Sequence, residues 1–374
     1  MRLDIGAPLS AAGYISFVIA GGTIISSLFS NRLIHRLKTG KVMIISVTMT
    51  AVALLGFSYS ASMVTVILWA IPLGLGAGSV DAALNNFVAL HYKARHMNWL
   101  HCFWGIGATL GPIVLSVFIG AEASQRAWAN GYRAIAVFQF VLVFTLLFSL
   151  PLWKRVELLK INTHGQEEKD QTIITNRQAL GRPGILYALS AFFCYCGYEA
   201  AVGIWAASFL VTQRQISTAA AAGWASLFFA GITIGRFMSG IASMRFKPTF
   251  LIRLGCLVNL SGVIFIILPL PSICSMFSLI LIGLGSAPFY PSMIHETPKR
   301  FGNEYSQAAM GLQMACAYIG STLIPPLIGL LSGYFTLIIW PYAILILGIG
   351  ALVFSEKSNL NRGIHKDKIE REIT

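Results

Sequence analysis

Two carboxylates stand out among the 14 acidic residues of the chain, because Asp81 and Glu199 lie well inside long apolar runs. A carboxylate in such surroundings is costly, so it generally faces a cavity and marks a route for ions or protons. Burial disfavours the charged form of a carboxyl group, which is what a group needs in order to take up a proton and hand it on. Both residues are candidates for proton coupling, and the plainer alternative for each is a structural buried hydrogen bond.

Polar and aromatic groups lie near these acids in the sequence, some of them at helical spacing. In PLGLGAGSVDAALNNFVALHY, Asn85 comes one helical turn after Asp81 and shares its face. An amide beside a carboxylate offers both donors and acceptors to a hydroxylated ligand. In FFCYCGYEAAVGIWAASFL, Tyr195 precedes Glu199 by four residues and shares its face, whereas Trp205 aligns less well. Aromatic rings there suit the C–H face of a sugar, or they fill contacts between helices. LHCFWGIGATLGP sets His101 three residues before Trp104, so both can look toward one cavity. His101 could relay protons or simply bond a neighbouring helix. Gln313 is a further ligand candidate. Arg236 is the one basic residue within an apolar run. It either snorkels or locks a cytoplasmic gate by pairing across the halves of the chain, and the gate is the favoured reading.

Such residues need elements that cross a membrane. The 374 residues are 56% hydrophobic and 11% charged, with a mean hydropathy of +0.72. The apolar residues come in blocks of about 20, enough to span the hydrocarbon core as helices. This excludes a water-soluble globule, a disordered chain, a disulfide scaffold and a nucleic-acid binder. Eleven blocks are expected to span, near 10–30, 42–60, 64–90, 99–120, 132–153, 184–211, 221–244, 249–269, 273–294, 305–333 and 335–354. The expected fold class is all-α integral membrane. The hydrophilic stretch 154–183 is expected to be a cytoplasmic linker between a bundle over 1–153 and a second over 184–356, with 357–374 as a cytoplasmic tail.

Charge gives orientation. Basic residues crowd into alternate connections, from Arg32 to Lys41, at Lys93 and Arg95, through the linker, from Arg245 to Arg253, at Lys299 and Arg300, and in the tail. The opposite connections hold Arg2, Arg126, Arg133 and Arg214. The positive-inside rule puts the first set in the cytoplasm. The net charge of +13 is then mostly topology. The C-terminus falls inside and Met1 outside, in a cytoplasmic (inner) membrane. The opening residues read as an extracellular loop.

The two halves also repeat. An offset of 210 superimposes Gly13, Ser16, Ala20, Gly21, Thr23 and Ile24 on identical residues, an offset of 209 sets Gly74, Leu75 and Gly76 on Gly283, Leu284 and Gly285, and an offset of 213 matches Ile106, Gly107, Thr109, Leu110 and Pro112 with Ile319, Gly320, Thr322, Leu323 and Pro325. Repeats of this kind characterise transporters. By the same offset the block at 184–211 has its counterpart before residue 1, so a twelfth span is expected upstream, through a late start codon or a truncation.

Several chemistries lack their motifs. The six cysteines all sit in spans without a CxxC pair, so neither a metal site nor a disulfide is expected. No GxxxxGK[ST], HExxH or nucleophile elbow occurs. No cofactor is expected and the chain is not read as an enzyme.

Together the two-half repeat, the basic first cytoplasmic loop and the central linker resemble the major facilitator superfamily, and within it the fucose permease-like group of sugar:proton symporters. Asp81, Ala83, Asn85, Phe87 and Val88 are similar to that group's acidic-x-A-x-N-x-F-V pattern in the fourth helix, where the acid takes part in proton coupling. Tyr195, Gly197, Glu199 and Trp205 resemble a YxGxExxxGxW pattern in the seventh helix, and LHCFWGIGATLGP resembles the fifth. The superfamily's loop pattern GxxxDRxGR is altered here. Ser27, Asn31 and Arg32 take the G, D and R places, and Asn31 lacks the charge that ordinarily helps latch the halves.

The resemblance implies a secondary transporter that moves a small hydrophilic solute, foremost a sugar, by proton-coupled alternating access. Asp81 and Glu199 would exchange the proton, and Asn85, His101, Trp104, Tyr195, Trp205 and Gln313 would line the cavity. Asn31, Arg32 and Arg236 would gate it. The partners implied are the small-molecule substrate, the proton and membrane lipid, with a monomeric chain. A drug or metabolite efflux antiporter, echoed by GxxxGP within GATLGP, and an inactive remnant or non-transporting sensor are the alternatives.

Overall fold

The computed structural model describes residues 4–6, 11–121, 127–164 and 174–373. Arg2, Arg126 and residues 165–173 of the expected linker lie outside the described residues. The described residues form helices without strands. In chain order these are α1 (Ala11–Leu37), α2 (Thr39–Tyr59), α3 (Met63–His91), α4 (Ala94–Ala121), α5 (Ala127–His164), α6 (Asn176–Leu180) and α7 (Ile185–Arg214). There follow α8 (Thr218–Ala242), α9 (Pro248–Ile267), α10 (Ile273–Ser286), α11 (Phe289–Phe301), α12 (Asn303–Phe335) and α13 (Trp340–Ile373). Ten segments among the described residues are long and apolar enough to cross a membrane. α4 begins with the polar run ARHMNW and is not among them, but it occupies the place of the remaining expected span.

Three elements differ from the sequence expectation. α5 continues to His164, into the stretch 154–183, because VELLKIN consists largely of residues that tolerate a helix. α13 continues to Ile373 through the expected tail. The expected span 273–294 is two helices, α10 and α11, parted at Ala287 and Pro288. Proline has no amide hydrogen to donate and its ring crowds the carbonyl four residues back, so the helix is interrupted there.

The chain divides into two compact units. The first comprises residues 1–87, 107–176 and 310–315, and the second 88–106, 177–309 and 316–374. In the first unit α1 meets α3 through glycine. A Cβ on Gly74 would strike the carbonyl of Ile19, and one on Gly78 the carbonyl of Thr23. α2 lies along α5, where Gly40 leaves room for Trp153 and Thr50 Oγ1 donates to Gln139 Oε1 at 2.9 Å.

In the second unit α8 meets α10 in the same manner as α1 meets α3. A Cβ on Gly283 would strike the carbonyl of Phe228, and one on Gly231 would come within 2.9 Å of the carbonyl of Ile280. Gly74 and Gly283 are partners in the sequence repeat, so the repeat corresponds to a helix contact made twice. α7 packs on α13, with Trp340 Nε1 donating to the Ala201 carbonyl at 3.1 Å and the Trp340 ring 4.9 Å from that of Phe209. Ser217 caps α8 by accepting from the Ala220 amide, and Pro248 opens α9 where its missing amide costs nothing.

Candidate functional site

The second unit gathers six of the sequence candidates: His101 and Trp104 on α4, Tyr195, Glu199 and Trp205 on α7, and Arg236 on α8. Arg236 is the centre of the group. It is 3% exposed, and its Nη2 lies 3.6 Å from Glu199 Oε1, whose side chain is 17% exposed. Its Nη1 donates to the backbone carbonyl of His101 at 3.2 Å. Its guanidinium carbon stands 5.1 Å from the centre of the Trp104 ring. A carboxylate, a carbonyl dipole and an aromatic face therefore share one buried cation, while Nε has no partner among the described residues. In this structure Arg236 pairs within its own unit, with the neighbouring helix.

α8 can bring Arg236 so close because its contact face is small. Gly235 and Gly231 press on α10, and Gly105 of α4 makes room for Thr233 of α8, whose carbonyl accepts from Cys102 Sγ at 3.6 Å. Trp104 turns outward from this contact and is 54% exposed.

Behind the ion pair stands an aromatic and polar core at the α10–α11 break. The His101 ring meets Tyr290 edge-on at 4.8 Å, and Tyr290 meets Phe192 at 5.3 Å. Tyr195 is buried, stacked on Phe289 at 4.6 Å, and its hydroxyl donates to the Ser286 carbonyl at 3.0 Å. Tyr198 bonds Ser286 Oγ. Asn259 Nδ2 lies 3.1–3.2 Å from Tyr198 Oη, Ser286 Oγ and the Ile282 carbonyl, which share its two hydrogens. Side chains thus serve the backbone where Pro288 interrupts the helix. Trp205 is likewise engaged in packing, because its Nε1 donates to the Pro325 carbonyl at 2.9 Å and its ring lies over Gly329.

The first unit holds the other candidates. Asp81 is half-buried on α3. Asn85 is buried one turn on, with Nδ2 3.9 Å from Met314 Sδ. Gln313 is fully buried on the segment 310–315 that belongs to this unit. Asn31 donates to the Ile174 carbonyl, and Arg32 is exposed with its guanidinium 5.8 Å from the Phe29 ring.

Tyr290, Tyr198 and Ser286 were not among the sequence candidates. Pro288 inside an expected span is the signal that could have found them, since a broken span leaves backbone groups for side chains to satisfy. Among the described residues no group of three or more His, Cys, Asp or Glu is placed to hold a metal ion.

Comparison with known proteins is consistent with this architecture. The family model described as Major Facilitator Superfamily matches residues 1–317. The glucose/mannose transporter GlcP of Bacillus subtilis is 27% identical over 319 residues, covering 82% of this chain and 75% of its own. The human sodium-dependent glucose transporter 1 is 24% identical over 349 residues, covering 86% of this chain and 65% of its own. The fucose:proton symporter FucP of E. coli superimposes with a TM-score of 0.71 at 17% identity, over 94% of this chain and 91% of its own. The proton:xylose symporter XylE does so with a TM-score of 0.74 at 15% identity, over 93% and 86%.

Proposed function

The chain belongs to the Major Facilitator Superfamily, and from that premise we propose that it is a secondary transporter carrying a sugar across the cytoplasmic membrane, coupled to protons by alternating access. The observation that carries this reading is the Glu199–Arg236 pair beside the exposed ring of Trp104. Glu199 keeps partial access to its surroundings while its counter-ion is buried. Protonating Glu199 removes the attraction and leaves Arg236 with the His101 carbonyl and the Trp104 face. Releasing the proton restores the pair. A proton is thereby converted into a change in what holds α4, α7 and α8 together.

Asp81 is the second proton carrier of the proposal, on the other unit, with Asn85 and Gln313 as polar groups near its own helix and Trp104 as the ring for a sugar's C–H face. Two bundles, 1–153 and 184–356, would rock in alternating access, with the C-terminus in the cytoplasm. The names of GlcP, FucP and XylE support a sugar substrate.

The test is counterflow and gradient-driven uptake in proteoliposomes with labelled D-glucose, D-mannose, L-fucose and D-xylose. At least one sugar should accumulate when the outside is made acidic. Asp81→Asn and Glu199→Gln should each lose accumulation yet retain exchange. Full accumulation in both variants would sink the assignment. The name of the human relative favours a second reading, sodium coupling, which would appear as accumulation on a sodium gradient with no proton gradient imposed.

A further inference from the structure

The end of α1 carries a contact that proton and sugar chemistry do not use. Asn31 Nδ2 donates to the carbonyl of Ile174 at 2.5 Å, and one turn back the carbonyl of Leu28 accepts from Asn176 Nδ2 at 3.0 Å. The two bonds are reciprocal. Each strand of the contact supplies one amide donor and one backbone carbonyl, both in partly buried surroundings. The helix that begins at Asn176, α6, has five residues, too few for a helix to hold itself in water. Its order therefore depends on what anchors its ends.

The chemistry at residue 31 is specific. An amide nitrogen brings a hydrogen to the carbonyl oxygen. A carboxylate of the same size has none, and would set its own lone pairs against those of Ile174. The far end of the segment is held differently. Arg182 directs Nε and Nη2 at the Phe301 carbonyl, at 3.2 and 3.0 Å, and its guanidinium carbon lies 4.2 Å from the Tyr305 ring centre. Bonds from a charged donor are roughly twice as strong as neutral ones.

We propose that Asn31 and Asn176 form a clasp that holds residues 174–176 on α1 through neutral amide bonds, and that this end of the segment opens before the Arg182 end. The C-terminal part of α1 thus holds this segment by hydrogen bonding and not by charge. Neutral bonds are hardly screened by salt, whereas an exposed ionic latch would loosen as the Debye length shrinks.

Trypsin cleavage after the exposed Arg177, followed on the full chain in detergent by the appearance of the Gln178 N-terminus, reads the clasp directly. Asn31→Asp and Asn176→Asp each keep the side chain's size and lose its donor, and one lies on each strand of the contact. Each should raise the cleavage rate about tenfold with the melting temperature unchanged. The double variant should be no faster than the faster single one, because both break the same clasp. The rate for the unaltered chain, normalised to a short peptide substrate, should stay constant from roughly 50 mM to roughly 0.5 M salt. Cleavage of both single variants at the unaltered rate, or a rate that climbs with salt in the unaltered chain, would overturn the proposal. Neither outcome depends on whether the chain carries sugar or uses protons.

Discussion

Arg236 on α8 and Glu199 on α7 face each other at 3.6 Å, the arginine 3% exposed and the glutamate 17%. A cation so deeply placed is tolerable only while its partners remain. Removing one member of a buried pair typically costs about 3–5 kcal/mol, whereas replacing both by neutral groups costs far less. Glu199→Gln should therefore destabilise the chain more than the double variant Glu199→Gln/Arg236→Gln. Thermal unfolding in detergent checks the order. Equal losses in the single and the double variant would mean that the pair contributes no coupling.

Trp104 has Arg236 on its ring and an open side. The Arg236 guanidinium covers its ring at 5.1 Å, and more than half of its surface is exposed. A cation–π contact contributes about 0.5–2 kcal/mol, and the ring is also the sugar platform of the proposed function. Trp104→Phe should keep most of both roles, and Trp104→Ala should raise KM about tenfold, the equivalent of roughly 1.4 kcal/mol. Arg236→Lys tests the planar contact separately, because lysine retains the charge without the flat face. Its KM should lie between those of the unaltered chain and Trp104→Ala.

Much of this is legible in the sequence. Charge clusters and apolar runs place the spans, because hydrocarbon thickness and backbone hydrogen bonding leave a membrane chain few choices. The offset between Gly74 and Gly283 marks a contact made in both halves. What could not be read was pairing between elements. Nothing local tells Arg236 that its partner is on α7, and residues 174 and 176 are far from α1 in sequence. Tyr195 fits a ligand-binding pattern by type and spacing and Trp205 by type, yet their polar atoms meet backbone carbonyls of Ser286 and Pro325. An aromatic with a polar tip serves a broken or proline-containing helix as readily as it serves a sugar.

That distinction makes Trp205 a useful control for Trp104. Its indole donates to the Pro325 carbonyl at 2.9 Å, and a Cβ on Gly329 would come within 2.8 Å of its ring. Trp205→Phe removes the donor and keeps most of the ring, leaving one carbonyl of α12 short of a partner. The expected loss is about 0.5–1.5 kcal/mol of stability, with KM unchanged in uptake assays. A large rise in KM at unchanged melting temperature would move Trp205 into the binding site.

The glycine contacts set the tolerance of the fold most sharply. A Cβ at Gly283 would run into the Phe228 carbonyl, which belongs to the backbone of α8 and cannot turn aside as a side chain can. Gly283→Ala must therefore push α8 from α10, at a cost of about 1–3 kcal/mol by the usual penalty for overpacking. The same displacement would carry Arg236 away from Glu199, since Arg236 follows Phe228 by two turns on that helix. Gly223 is the matched control, because nothing lies within 4 Å of where its Cβ would be. Gly223→Ala should be neutral or stabilising by up to about 1 kcal/mol, the helix-propensity difference between the two residues. If Gly283→Ala melts with the unaltered chain and keeps gradient-driven uptake, neither the close α8–α10 approach nor the placement of Arg236 through it is needed for function.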